Sequence, residues 1–144
     1  MSLAQWDESL ATGHYAVDRQ HQELFDLFQA LHDAIIAKSG KPLLQETLDG
    51  LARYVVHHFS AEEKLMQDSG YPETARHMAE HRKLTAHTAK IISDYRDGRL
   101  TLSVTLCRFL VTWLFHHIRE VDQRMIAHVR ASACSRDVAG RDLA

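Results

Sequence analysis

Proline and glycine are scarce in this 144-residue chain, at 2 and 6 residues. Long helices are therefore permitted, since few positions lock φ or loosen the backbone. Cysteine is scarce as well: Cys107 and Cys134 stand alone, with neither a CxxC nor a ligand-like spacing. That excludes a disulfide scaffold and predicts reduced thiols in a cytoplasmic protein, although two cysteines can in principle pair. The longest apolar run, Phe109 to Phe115, is broken by Thr112 and falls far short of a membrane span. The opening MSLAQWDESL lacks the basic and apolar regions of a secretory signal. An excess of one charge is also missing. With a net charge of −2, the chain has no electrostatic footprint for nucleic acid or an anionic membrane. Strand-like alternation, internal repeats and low-complexity segments are absent.

Histidine is what the chain has in excess, at 11 residues. The rest is ordinary: 45% hydrophobic and 25% charged residues fit one soluble globular domain over 1–144 with a single core. Breakers fall at Ser39-Gly40-Lys41-Pro42, Ser69-Gly70-Tyr71-Pro72 and Asp97-Gly98. A glycine just past a helix end and a proline opening the next helix is the expected punctuation.

Between these marks the apolar positions recur at helical spacing. His21, Leu24, Phe28, Leu31 and Ile35 form one stripe, and Leu44, Leu48, Leu51, Val55, His58, Glu62 and Leu65 a second. His77, His81, Leu84, Thr88, Ile91 and Tyr95 form a third, and Leu102, Leu106, Leu110, Trp113, His117 and Val121 a fourth. Such stripes face a shared core, and short loops make neighbouring helices antiparallel. The fold expected is all-α, an up-down-up-down antiparallel four-helix bundle. Residues 1–17 are expected to form an N-terminal arm with Trp6 as its anchor. Asp18 is the expected N-cap of the first helix. Residues 129–144, polar and small, are expected to be a frayed or partly ordered C-terminal tail.

The polar members of these stripes interrupt the apolar face where they would be expected to avoid it. A single core histidine is satisfied by one backbone carbonyl. Five that share stripes with Glu62 and Asp122 are another matter, because a buried unpaired carboxylate costs several kcal/mol. A cluster of acceptors with few cations nearby asks for a metal. Helix direction adds depth to the argument: in an up-down-up-down bundle, His21, His58–Glu62, His77–His81 and His117–Asp122 all fall at the same end. Register rotates His57 and Glu63 off the core stripe. On the fourth helix Phe109, Trp113, His116 and Glu120 make a rival stripe, but Leu106, Leu110 and Val121 favour His117. The step from His117 to Asp122 leaves them about 140° apart on an α-helical wheel, so they must straddle the site.

Taken together, DRQH at 18–21, HFSAEE at 58–63, HMAEH at 77–81 and WLFHHIREVD at 113–122 resemble the ligand motifs of the hemerythrins, and the Trp6 arm is similar to that of their bacterial branch, the bacteriohemerythrins. The resemblance spans about residues 6–126. It implies a non-haem di-iron site that binds O2 reversibly for storage, delivery or sensing. His77, His81 and His117 would hold one iron and His21 and His58 the other. Glu62 and Asp122 would bridge them beside a bridging oxo or hydroxo group. Counting ligands then leaves one position open on the two-histidine iron, where O2 would bind. Leu24, Trp113, Leu114 and Ile118 match the apolar lining of the family's O2 pocket, although ordinary core packing also accounts for them.

Phe25, Phe28 and Phe109 read as packing, and Met66 and Met125 as gap-filling. His14, His32, His57, His87, His116 and His128 match no ligand position and read as surface or outer residues. A ferritin-like oxidase would need two ExxH motifs, and no Glu here has a His three residues on. A zincin needs HExxH, and the Glu of HMAEH is misplaced. Within the same fold, a sensor of O2, redox state or NO acting through a protein partner stays open. So does a di-iron enzyme with peroxidase- or oxidase-like activity. The resemblance itself points to a binding protein with no catalytic residues.

Overall fold

A computed structural model describes residues 6–142, with side chains as far as Cys134. The molecule is a bundle of four antiparallel helical runs, without a strand among the described residues. Helix α1 is Tyr15–Ile36, α2 is Lys41–Ser69 and α3 is Thr74–Arg96. The fourth run is α4, Val104–His116, continued through a π-helical turn at His117–Asp122 into α5, Gln123–Asp142. Helix α2 packs on α1 and α3, and α4 closes the bundle against α1. None of these helices is long and apolar enough to cross a membrane.

The connections follow the chain's local chemistry, with one exchange of roles. Gly70, at φ 66°, caps α2 in the left-handed region while Tyr71 N–H returns to the Met66 carbonyl. Gly98 turns the chain after α3 at φ 77°. After α1 the left-handed position falls on Lys38 (φ 55°), and Gly40 becomes the N-cap of α2 ahead of Pro42.

Asp18 is not the N-cap of α1. That role belongs to His14, whose Nδ1 accepts from Val17 N–H at 3.3 Å. Asp18 instead lies inside the first turn. Its carboxylate accepts from Thr12 N–H, Thr12 Oγ1 and Gly13 N–H, tying the arm to the helix. The described arm holds a short 3-10 turn at Glu8–Leu10, and Trp6 lies against Phe25 with ring centroids 6.3 Å apart. Gln123 Nε2 donates to the carbonyls of Leu10 and Ala11, which clasps the arm to the start of α5. The expected tail is helical in its described backbone, as far as Asp142. Continuation of the fourth run explains it: Met125 and Ile126 are fully buried beside Val17 and Met66, and His128 Nε2 donates to the Ser69 carbonyl at 2.9 Å.

Most of the predicted stripes are buried, and α4 is the exception. Leu106, Trp113 and Val121 are only half-buried, while Cys107, Val111, Leu114, Ile118 and Asp122 take the core positions beside Leu110 and His117. Phe109 does not pack in the core; it is 58% exposed. His32 is likewise not at the surface. It is buried, with Nδ1 3.3 Å from Asp33 Oδ1. The thiols are free: Cys107 is buried, where the apolar surroundings push it up to about 11, and Cys134 is exposed.

Candidate metal centre

His58 and Glu62 stand one turn apart near the C-terminal end of α2, and His77 and His81 one turn apart in the first turns of α3. The Gly70 turn returns the chain at that level, so the two pairs face each other. His21 comes from the early turns of α1. His117 and Asp122 come from the fourth run, where the α-helical wheel would have separated them. The π-helical turn removes that separation, because its i→i+5 repeat brings Asp122 back over His117. His117 Nε2 accordingly lies 3.1 Å from Asp122 Oδ1.

The seven side chains form two unequal groups that share the two carboxylates. Glu62 Oε1 faces His58 Nε2 at 2.7 Å and His21 Nε2 at 3.2 Å. Its other oxygen, Oε2, faces His81 Nε2 at 3.1 Å and His77 Nε2 at 3.3 Å. Asp122 divides in the same way: Oδ2 is 3.1 Å from His21 Nε2, and Oδ1 is 3.1 Å from both His77 Nε2 and His117 Nε2. The rings of His77, His81 and His117 lie together, with centroids 4.5 to 5.2 Å apart. Those of His21 and His58 form the other pair at 4.7 Å. Ligand-competent atoms of Glu62, His77, His81, His117 and Asp122 gather within 4.8 Å of one another, and so do those of His21, His58, Glu62 and Asp122.

Burial makes this arrangement expensive for the protein alone. Glu62 and Asp122 are 0% exposed, and all five histidines are buried. Around them the electrostatics polarise strongly. Burial pushes the His21 and His77 imidazoles down, but Asp122 and Glu62 outweigh it and lift both to about 9. His117 is raised in the same way, against the same burial. Burial raises Glu62, yet the surrounding histidines, His58 foremost, hold it well below the usual carboxylate range. Asp122 is also lowered, because His117 and His21 overcome burial and its repulsion from Glu62.

The donor set fits a pair of metal ions better than it fits protons. Two ligand atoms at right angles on a metal with bonds of about 2.1 Å stand ~3.0 Å apart, and the nitrogen–oxygen separations here run from 2.7 to 3.3 Å. Yet Glu62 Oε2, His77 Nε2 and both Asp122 oxygens have no hydrogen-bond partner among the described residues. Atoms this close that do not hydrogen-bond converge on a common point instead of on one another.

Outer partners orient several rings. His58 Nδ1–H donates to Gln20 Oε1 at 2.6 Å, and Glu63 Oε1 accepts from His81 Nδ1–H at 3.4 Å. Glu80 Oε2 lies 3.3 Å from His117 Nδ1. Phe59 stacks on His81 at 3.8 Å and Trp113 on His117 at 4.7 Å. Gln20, Phe59 and Glu80 escape a sequence reading because nothing in their spacing marks them. Their adjacency to ligand positions is the one available signal.

Beside the centre lies an apolar cavity of ≈ 20 Å³, room for about one water-sized molecule. Leu24, Phe59 and Leu114 line it at the level of the centre, and it continues towards Leu48, Leu51 and Ile91. Trp113 and Ile118, also expected there, do not line it: Trp113 is taken up by its stack on His117, and Ile118 is wholly buried within the main core cluster. His57, His87 and His116 are exposed, clear of the centre.

Buried carboxylate-bridged histidine groups in an antiparallel bundle define a helical-bundle metal-binding protein. Comparison with known proteins narrows the class. The family model described as the hemerythrin HHE cation binding domain matches residues 12–129, and the chain belongs to the hemerythrin family. A bacteriohemerythrin of Methylococcus capsulatus (Bath) is 36% identical over 124 residues, covering 85% of this chain and 94% of that protein. A bacteriohemerythrin of Stenotrophomonas maltophilia is 31% identical over 131 residues, 91% of this chain and 84% of its own length. A crystal structure of wild-type hemerythrin superposes with a TM-score of 0.84 at 34% identity, covering 88% of this chain and 98% of that one.

Proposed function

We propose that the protein binds O2 reversibly at a non-haem di-iron centre, for storage, delivery or sensing. The observation that supports this best is the division of both carboxylates, each with one oxygen towards each histidine group. His77, His81 and His117 would hold one iron and His21 and His58 the other, with Glu62 and Asp122 bridging. When bound, the irons supply the position at which O2 attaches and from which it leaves.

The chain's own residues do the rest. Both carboxylates are held rigidly by burial among five imidazoles, so each metal position is organised before loading. Gln20 fixes His58 with Nε2 turned inward. The two-histidine group has fewer protein donors, which makes it the side with room for O2. Leu24, Phe59 and Leu114 keep a dry space next to the centre. In such surroundings a charged, reduced oxygen species is poorly solvated, so release of neutral O2 is favoured over autoxidation. No side chain here is assigned a catalytic role.

The test is a cycle of anaerobic reduction, O2 addition and O2 removal on the iron-loaded protein, followed in the visible spectrum. A spectral change that appears with O2 and disappears on its removal supports the binding function. Immediate, irreversible oxidation would sink it in favour of a redox sensor or an oxidase.

A further inference from the structure

The two halves of the centre differ in what stands behind the imidazoles. On the three-histidine side, His81 Nδ1–H donates to Glu63 Oε1 at 3.4 Å, the Glu80 carboxylate stands 3.3 Å from His117 Nδ1 without hydrogen-bonding it, and His77 Nδ1 has no hydrogen-bond partner among the described residues. On the two-histidine side, His58 Nδ1 meets the neutral amide of Gln20, and His21 Nδ1 has no partner among the described residues. One group therefore has two carboxylates behind it, one hydrogen-bonded and one acting through its charge, and the other has a single amide.

Local structure explains the split. Glu63 follows Glu62 on α2 and Glu80 precedes His81 on α3, so each lies about 100° round its helix from a centre residue. Both reach the three-histidine group from its rim, with side chains 24% and 36% exposed. The two rings they address are also held in plane. Phe59 lies parallel to His81 within 6°, and Trp113 lies within 13° of parallel to His117. Stacking restrains the tilt of each ring and so keeps its Nδ1 edge beside its carboxylate.

An imidazole whose N–H faces a carboxylate is the stronger donor through its other nitrogen, and an amide partner strengthens it less. Stronger donation and nearby negative charge favour the higher oxidation state of the metal so held. Resting on the di-iron reading, we propose that Glu63 and Glu80 are positioning residues that make the centre electronically unequal. The three-histidine metal is the one oxidised at the lower potential, and Gln20 leaves the two-histidine metal the easier to keep reduced. In a protein that binds O2 on the two-histidine side, that inequality protects the reduced state where it is needed.

The experiment is an anaerobic spectroelectrochemical titration of the iron-loaded protein and of Glu63→Gln, Glu80→Gln and Gln20→Glu. Glu46→Gln, an exposed carboxylate on the same helix as Glu63, controls for loss of charge alone. The wild type should show two one-electron steps. Each of the two Glu→Gln changes should raise the lower step by about tenfold in its equilibrium constant, ~59 mV. Gln20→Glu should lower the upper step instead, and Glu46→Gln should move neither. These substitutions preserve shape, and far-ultraviolet melts that match the wild type keep a folding effect separate. The proposal is overturned by a single two-electron wave in the wild type. It is equally overturned if neither Glu63→Gln nor Glu80→Gln moves the lower step, or if Glu46→Gln shifts the steps as much as they do. A wild type that takes up no iron overturns the di-iron reading itself, and this inference with it.

Discussion

The end of the bundle that holds the polar centre and the end that holds the apolar core are made by the same four helical runs, but under opposite constraints. At the apolar end Leu31, Leu48, Leu51, Ile91 and Leu110 bury surface that water rejects, and each leucine wholly withdrawn contributes about 1.5–3 kcal/mol. At the polar end the same burial is applied to Glu62 and Asp122, where it opposes folding until opposite charge arrives. One end folds because of its residues; the other is carried by it and completed by what it binds. The difference teaches why a costly constellation can be kept: the apolar half supplies the stability that the polar half spends.

The strongest way to break this comparison is to remove a ligand. His58→Ala and His77→Ala should each weaken metal binding by more than about 100-fold, the upper range for loss of a mere outer partner. Metal content after gel filtration reads the effect. His57→Ala, at an exposed position one residue away, should load as the wild type does. If His57→Ala lost metal and His58→Ala kept it, the register of α2 at the centre would be misassigned.

A cavity at the other end should do the reverse. Leu48→Ala should cost about 2–5 kcal/mol in denaturant unfolding of the loaded protein, with metal content unchanged. Loss of metal on that substitution would show that the two ends are not separable.

Removing the metal should cost about 3–4 kcal/mol where the free ion had stood at several hundred times its dissociation constant. Hydrogen exchange should localise the loss. Amides from His58 to Glu62 and from His77 to His81 should exchange faster, while those around Leu31, Leu48 and Ile91 stay protected. Uniform acceleration along all four runs would contradict a self-supporting apolar end.

The smallest effect is on pH dependence. In the metal-free protein His21 and His77 are lifted from 6.5 to about 9 by Asp122 and Glu62, against burial. A raised histidine contributes stability that is fully present below 6.5 and is lost as the pH climbs through 9. Melting temperature of the metal-free protein should therefore decline across that interval. Loading should abolish the decline and release protons at pH 7, since ligating imidazoles must be free of them. A metal-free protein whose melting temperature rises between pH 6.5 and 9 would reverse the sign of this electrostatic account.

Much of the fold was legible because helix periodicity is a local property. The stripes on α1, α2 and α3 could be read directly, and so could the end of the bundle where His21, His58, Glu62, His77 and His81 meet. Asp122 was legible as a residue but not as a geometry. An α-helical wheel sets it far from His117, and the π turn that unites them depends on the packing of the whole fourth run. The same run misled the stripe reading: His117 and Leu110 were rightly placed, while Cys107, Val111 and Leu114 displaced Leu106 and Trp113 from the core. Asp18 looked like a helix cap because its residue type favours one. Its partners are Thr12 and Gly13, and the helix begins four residues earlier than that role requires.

The chain alone determined which residues are apolar at helical spacing and which polar residues interrupt them, because both follow from the order of side chains and the 3.6-residue turn. Only the tertiary structure decided which oxygen of Glu62 or Asp122 faces which histidine group, and which of Gln20, Glu63 and Glu80 stands behind each ring. Those choices depend on distances between separate helices. Such distances are set by packing across the whole core, and no local rule of sequence contains them.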